Sequence, residues 1–456
     1  MTTAHSRTTA PPAGGAAVPR CLRTRVPGRH DPLETAVRLA GSGAFARYAV
    51  YERAGRWWFA GGTLGAVTVR ANDVVTEWHG KRRVLPRTRP HPVAELGAAL
   101  AAAEVPDWRG YGWVAFEAAT TAAGRTAADP RRPLAHVFVP RAEVELSPDA
   151  LDLWCADADV LREVLAAATA RPAAPAPAPR PLDVEADDPA PYQEAVRDAV
   201  ARIRDGRLEK VILSRRVPVP YALDFPATYA AGRRANTPAR SFLLALPGLT
   251  AAGFSPETVA EVTPEGWVTS QPLAGTRARH PDPDDDARTR AELVTDPKEI
   301  YEHAVSVKLA DTEMRALCAP GSVSVDEFMS VKERGSVRHL GSRVRGRLRA
   351  DRTGWDALAA LFPAVTASGI PKTAAYEVIE EHEEAPRGLY AGAVLRATAD
   401  GDLDAALALR TVFTDGGRTW VRAGAGVVAA STPAREYRET CEKLASVAPY
   451  LVPAHH

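Results

Sequence analysis

Apolar residues fall at helical spacing in "DPAPYQEAVRDAVARIRDG", where Tyr192, Val196, Val200 and Ile203 mark one face, prolines sit near the start and Gly206 stops the run. The next stretch, "RLEKVILSRR" from Arg207, changes period. It is aliphatic and β-branched, free of Gly and Pro, and reads as a strand. Alternation along a strand puts Leu208, Lys210, Ile212 and Ser214 on one face. Upstream, "RYAVYERAGRWWFAGG" from Arg47 alternates like a hairpin around Ala54-Gly55. Downstream, "GAVLRATADGDLDAALALRTVFTDGGRTWVRAGAGVV" reads as an antiparallel meander with turns at Asp400-Gly401 and Asp415-Gly416-Gly417. Two more segments, "KEIYEHAVSVKLADTEMRAL" from Lys298 and "AREYRETCEKLASV" from Ala434, read as helices. Strands and helices mix without a regular βαβ rhythm, so the expected fold class is α+β.

Between these elements lie segments of other character. "MTTAHSRTTAPPAGGAAVPR" is small, polar and Pro-rich, and disorder is expected through about residue 20. "RPAAPAPAPRPLD" from Arg171 is extended and semi-rigid, either a domain boundary or a connector within one domain. "GKRRVLPRTRPHP" from Gly80 reads as a solvated basic loop, and "PDPDDDAR" from Pro281 as an acidic loop fit for a mobile cover.

The formal net charge of +1 provides no global field for nucleic acid or an anionic membrane. Cys21, Cys155, Cys318 and Cys441 are far apart and form no C-x-x-C pair, which fits free thiols in a reducing cytoplasm. No apolar run approaches membrane-spanning length, and the start of the chain lacks the apolar core of a signal peptide. A soluble cytoplasmic protein is expected.

The two late helices share a layout that suggests chemistry. Each carries Glu-x-x-Glu, Glu299 and Glu302 in one and Glu436 and Glu439 in the other, so each presents two carboxylates on one face. Apolar positions follow at matching offsets, which places the carboxylates at the border of buried and exposed surface. Four carboxylates without a histidine suit a hard cation such as Mg²⁺; solvated helix faces carry the same pattern. Lys443, four residues after Glu439, forms either a helix ion pair or a contact to a substrate anion.

Other polar positions are less specific. "SQPLAGTRAR" from Ser270 and "RAGAGVV" from Arg422 offer amides that can cradle an anion, Gly424-Ala425-Gly426 following a strand; tight turns use glycine in the same way. Arg410 lies mid-strand in "ALALRTVF" and needs a carboxylate from the protein or from a ligand. The chain has only seven lysines, at 81, 210, 298, 308, 332, 372 and 443, so Lys210 between aliphatic neighbours raises a question. It either snorkels to water or, desolvated, serves as a general base, which arginine cannot do.

"EKVILSRR", "FSPE", "PLAGTRAR", "TDPKEIYEHAVSVK", "FMSVKERGSVRHLGSRVRGRL", "FPAVTASGIPK", "RGLYAGAV" and "RAGAGVV" with "EYRETCEKL" occur in order over residues 207–445. Together they resemble the chorismate-utilising enzymes, which include anthranilate, aminodeoxychorismate, isochorismate and salicylate synthases. "VYERAGRWWFAGG" extends the likeness into the first half, and the wording is most similar to the salicylate synthases of siderophore pathways. The resemblance implies one large α+β domain over residues 21–456 with central antiparallel sheets, and the Pro/Ala tract then becomes an internal connector at about 171–187.

For the site, the resemblance implies that Lys210 activates the water attacking C2 of chorismate and that Glu257 protonates the departing C4 hydroxyl. Glu302 and Glu439 would hold Mg²⁺, with Glu299 and Glu436 supporting it through water. Gly275, Thr276 and Lys443 would help fix the ring carboxylate, while Tyr390, Arg410 and the amides around Gly424 and Gly426 grip the enolpyruvyl carboxylate. His339 and Thr366 would face the ring. The family's ammonia-using anthranilate synthases carry glutamine where Lys210 stands, and aminodeoxychorismate synthases carry a lysine nucleophile at Ala274. Water is therefore the expected nucleophile, and the partners expected are chorismate alone, with no glutamine amidotransferase and a monomeric chain. Val50-Tyr51-Glu52-Arg53 stands where feedback-regulated members have Leu-Leu-Glu-Ser, so tryptophan regulation is not expected. The implied reaction is chorismate to isochorismate and then to salicylate and pyruvate. The alternatives are an isochorismate synthase, an anthranilate synthase component I or a non-catalytic relative.

Overall fold

The computed structural model describes residues 21–103, 105–170 and 177–454. The tail expected to be disordered lies outside them, as do residues 171–176 of the Pro/Ala tract. The strands form two sheets, of eleven and twelve strands, antiparallel throughout, with helices packed outside them. This is the α+β architecture the pattern suggests. None of the described helices is long and apolar enough to cross a membrane.

Strand alternation distributes side chains between two cores. In the hairpin of Tyr48–Arg53 and Arg56–Gly61, Ala49, Tyr51, Trp58 and Ala60 enter the larger core, which draws on both sheets. Tyr48, Val50, Trp57 and Phe59 point the other way, into a smaller core closed by helices. The Ala190–Arg204 helix buries Tyr192, Val196, Val200 and Ile203 as its periodicity requires. After it, the chain enters the Lys210–Pro218 strand. Leu208 precedes that strand and joins Val211 and Leu213 in the larger core, so it does not share the face of Lys210. Residues 180 and 182, after the Pro/Ala tract, are tied to the C-terminal segment through Arg180 N to Leu451 O at 2.7 Å and Leu182 N to Ala448 O at 3.0 Å.

Three expectations are corrected. Lys81–Pro86 is a fully exposed edge strand, not a loop, because it completes a hairpin with Asp73–Trp78. Pro283–Thr295 is a helix, not an acidic loop. The Asp282 side chain caps the amides of Asp284 and Asp285, Pro283 occupies the first turn, and three aspartates there suit the positive end of the helix. The expected meander is two hairpins in different sheets: Ala393–Thr398 with Leu403–Leu407 in the twelve-stranded sheet, and Thr411–Asp415 with Arg418–Val427 in the eleven-stranded one. Arg410 is therefore not mid-strand. It lies in the link between sheets with φ 50°, a left-handed conformation that is costly for a non-glycine residue.

Buried ion pairs fasten the two sheets. Arg240 of the eleven-stranded sheet donates Nε and Nη2 to Asp404 of the other, both at 2.7 Å, and Tyr51 donates its hydroxyl to the same carboxylate. Arg53 adds Glu261 Oε1 at 2.6 Å and Asp402 Oδ1 at 3.1 Å. Burial alone would raise the Asp404 carboxyl, but the Arg240 and Arg53 charges hold it below its usual range. Tyr51 and Arg53 are thus committed to joining the sheets, while Glu52 between them binds Arg233 and Ser241. Arg240→Ala strands Asp404 without its bidentate partner and should lower the unfolding free energy by about 3–5 kcal/mol. Urea denaturation at neutral pH checks this, and a loss below about 1 kcal/mol would reduce the pair to the worth of a surface contact.

Candidate active site

Two strands cross from one sheet to the other side by side. The chain runs from Leu249–Ser255 in the eleven-stranded sheet to Thr258–Val262 in the twelve-stranded one, and returns from Leu403–Leu407 to Thr411–Asp415. Each outgoing strand pairs with a returning one, and Leu407 N to Glu257 O and Phe254 N to Arg410 O, both 3.1 Å, carry the pairing through the joint. Glu257 lies on the first link and Arg410 on the second. Both line one cavity, about 750 Å³ of empty space when counted out through its open mouth.

The two groups are electrostatically unusual. Glu257 is buried, and Thr366 Oγ1 donates to its Oε1 at 2.5 Å. Burial pushes its carboxyl up to about 8, against the opposing pull of that hydroxyl and of the Lys210 charge. At neutral pH it holds a proton. Arg410 is buried and has no carboxylate among the described residues within ion-pair distance; Nη1 donates to Arg334 O at 2.8 Å and Nη2 to His339 Nε2. Burial and the Arg334 charge push its guanidinium down to about 9, still charged at neutral pH. Because His339 Nε2 accepts from Arg410, the ring proton sits on Nδ1, 3.2 Å from Gly275 O. Burial, Arg410 and Lys443 keep this imidazole neutral.

The remaining walls come from both sheets and from the Pro297–Leu317 and Pro433–Leu444 helices. Thr366, Tyr390, Gly275, Thr276, Gly424, Gly426, Glu302 and Lys443 all line the cavity. Gly424 and Gly426 lie inside the Arg418–Val427 strand rather than after one. Their partners Ser214 and Ile212 turn their amides to Glu383 and to Ser368 O, so both glycines direct their own backbone groups away from the Lys210–Pro218 strand. Lys443 takes Gly424 O at 2.9 Å. Gly426 also makes room: a Cβ there would lie 2.0 Å from Glu302 Oε1. Gly275, at φ +78°, interrupts the pairing of its strand and turns the Thr276 amide to Glu299 Oε2 at 2.9 Å. That amide serves an internal carboxylate and is no free anion cradle.

All four helix glutamates are buried, not at the border of exposed surface, because the carboxylate face of each helix is its inward face. They gather around Lys298, which the sequence reading left without a role. Its Nζ lies 3.1 Å from Glu436 Oε1, 3.5 Å from Glu299 Oε1 and 3.9 Å from Glu302 Oε2, close enough for charge attraction but without hydrogen-bond geometry. Both Glu436 oxygens and Glu439 Oε2 have no hydrogen-bond partner. Burial and the Glu439 charge hold Glu436 above the usual carboxylate range; for Glu439, Lys443 and Lys298 overcome burial and hold it below. The other oxygens are engaged: Glu299 with Thr276 N and Arg277, Glu439 with Lys443 at 2.8 Å, Glu302 with Lys210. No three of the four offer oxygens that all lie within 4.8 Å of one another. Asp198, Glu381 and His382 do converge so, but Arg202 and His382 already satisfy that carboxylate pair.

Lys210 is wholly buried (0 % exposed), so it does not snorkel. Its Nζ donates to Ser306 Oγ at 3.0 Å and pairs with Glu302 Oε1 at 2.9 Å. It does not itself line the cavity and meets it through Glu302. Arg422, which also lines the cavity, went unassigned in the sequence because "RAGAGVV" drew attention to its glycines.

The chain is similar to known proteins along most of its length. The profile of the chorismate binding enzyme family matches residues 47–449. A salicylate synthase of Mycolicibacterium paratuberculosis is 43% identical over 435 residues, covering 92% of this chain and 94% of that protein. The solved anthranilate synthase component I of Streptococcus pneumoniae superposes with a TM-score of 0.72 at 27% identity, over 87% of this chain and 92% of that one. The menaquinone-specific isochorismate synthase of Escherichia coli shares the fold, with a TM-score of 0.71 at 20% identity over 95% of each chain. With a profile match spanning nearly all of the described residues and a full-length relative at 43% identity, the chain belongs to the chorismate-binding enzymes.

Proposed function

We propose that this chain acts as a salicylate synthase, converting chorismate through isochorismate to salicylate and pyruvate. The observation that carries the reading is the joint between the sheets, where a protonated buried carboxyl and an unpaired buried guanidinium face one cavity. A substrate with two carboxylates supplies what Arg410 lacks, and a reaction that expels a hydroxyl group uses the Glu257 proton. The full-length likeness to a salicylate synthase favours carrying the reaction past isochorismate, since no residue of the site separates the two outcomes.

In the first step water adds at C2 and the C4 hydroxyl departs as water with the proton of Glu257, the ring double bonds shifting between them. Lys210 accepts the proton of the attacking water. As an ammonium paired with Glu302 it cannot do so, and the base form requires that carboxylate to be engaged elsewhere. Tyr390, Arg410 and the outward amides of Gly424 and Gly426 grip the enolpyruvyl carboxylate; Thr276 and Lys443 face the ring carboxylate, and Thr366 keeps Glu257 aimed. In the second step the C2 hydrogen passes to the enolpyruvyl methylene as the C–O bond breaks, releasing pyruvate and an aromatic ring. This rearrangement needs orientation and exclusion of water, not a further acid or base.

The carboxylate cluster fits a hard divalent cation, Mg²⁺ in this reading. Its donors are all oxygens, and three of them are buried without hydrogen-bond partners among the described residues. Bound there, Mg²⁺ would supply positive charge for the ring carboxylate. Glu302 and Glu439 would hold it; Glu299, already engaged by Thr276 and Arg277, suits a supporting role through water, as does Glu436, whose Oε1 lies 3.1 Å from the Lys298 ammonium.

Incubation with chorismate and Mg²⁺ should yield salicylate and pyruvate in equal amounts; isochorismate alone, with neither of them, sinks this reading. Lys210→Gln should bind chorismate yet lose hydroxylation, and unchanged turnover would remove Lys210 from the mechanism. For Glu257, kcat should fall as pH rises through about 8, where the acid loses its proton. The linked stability has the same sign: native Glu257 retains its proton above the ordinary 4.5, so wild-type stability declines between pH 4.5 and about 8. The stability of Glu257→Gln relative to wild type should therefore climb across that window and then level off. A flat difference in urea titrations would contradict the raised carboxyl.

A further inference from the structure

Beneath the cavity floor lies a buried ion cluster with no part in the steps above. Glu383, at the end of the Lys372–His382 helix, accepts from the amide and hydroxyl of Ser214 at 2.9 and 2.7 Å. Arg387 Nε and Nη2 donate to it at 2.9 and 2.7 Å, and Arg422 Nη2 donates to the same carboxylate. Burial alone would raise this carboxyl, but the two guanidinium groups hold it below its usual range. Two guanidinium groups on one carboxylate leave positive charge in excess at their contact, with Glu117, whose oxygens take the backbone amides of Arg387 and Gly388, acting on Arg387 from further off. A single pair would have joined these segments without that excess.

The excess charge lies against Tyr390. The guanidinium carbons of Arg422 and Arg387 stand 5.4 and 5.7 Å from the centre of its ring, within the ~6 Å reach of a cation–π contact. Neither arginine is free to take a ligand. Arg422 gives Nε to Ser214 Oγ at 2.8 Å, Nη2 to Glu383, and Nη1 to the carbonyls of Ala385 and Pro386 at 3.4 Å each. Arg387 gives Nη1 to Ala367 O and Nη2 to Ile212 O, both at 2.7 Å, and does not line the cavity. Tyr390 does line it, with its hydroxyl beside Gly424.

We propose that Arg387 and Arg422, locked onto Glu383, are positioning residues for Tyr390: they fix its ring and sharpen its hydroxyl as a donor to a substrate carboxylate. Cations against the ring face draw electron density from it, which strengthens the O–H dipole, and the buried setting amplifies the effect. The inference deepens the proposed function and rests on it for the identity of that carboxylate.

The test is a double-mutant cycle. Arg387→Gln and Arg422→Gln, each of which removes one positive charge and leaves Glu383 its other arginine, are made singly and in combination with Tyr390→Phe, and thermal unfolding is compared first. Each glutamine variant should raise KM for chorismate about tenfold with kcat little changed, and the rise should shrink below about twofold in the Tyr390→Phe background. Equal rises in both backgrounds overturn the proposal, because the arginines would then act on the ligand or the fold without Tyr390. An unchanged KM overturns it too. Fluorine NMR of 3-fluorotyrosine-labelled protein gives a readout without substrate. The residue-390 resonance, identified by its loss in Tyr390→Phe, should move in both glutamine variants, and an unmoved resonance overturns the proposal. Wild-type protein that fails to consume chorismate would count against the proposed reaction, and the fluorine measurement would still decide the clamp. Two arginines are tested so that a folding defect in one leaves the other informative.

Discussion

A carboxylate removed from water must be paired, protonated or coordinated, and the seam between the two sheets contains one group under each of these conditions. Asp404 is paired, by two arginines from the opposite sheet. Glu257 is protonated, because its surroundings supply a hydroxyl and distant charge but no adjacent cation. The four helix glutamates crowd around one lysine with oxygens still unsatisfied, the condition that invites coordination. The same desolvation thus yields a structural rivet, an acid and a candidate cation site, and the difference between them is only which cation lies nearby.

Much of the architecture was legible because it rests on local period. The Tyr48–Gly61 hairpin, the Ala190–Arg204 helix and the two Glu-x-x-Glu helices follow directly from spacing. What local period misses is where a chain changes layers. "ALALRTVF" reads as one strand, yet it ends one sheet and begins the other, and only tertiary pairing reveals the break. Composition misled in "PDPDDDAR", where acidic residues that suggest a loop are the cap and first turn of a helix.

The site shows the same division. The glutamates, Lys210 and the glycines could be singled out in the sequence, and the structure brings them into one neighbourhood. Lys298 could have been found, since it adjoins Glu299 on the first turn of a helix that begins at Pro297. The Glu383 cluster could not. It joins residues more than 200 positions apart, Ser214 and Arg422 among them, and nothing in "EEHEEAPRG" distinguishes the one buried glutamate from its exposed neighbours.

The paired crossover has a mechanical consequence. Glu257 and Arg410 are carried by adjacent links and held by backbone bonds through the same joint. Rocking of one sheet on the other would turn about that joint, as two leaves turn on a hinge pin. Groups on the leaves, such as Thr276 on one and Gly424 on the other, would swing apart or together, while the two on the pin would keep their separation. The spacing of acid and guanidinium is thereby set by the backbone of the joint itself and not by the side chains that wall the cavity.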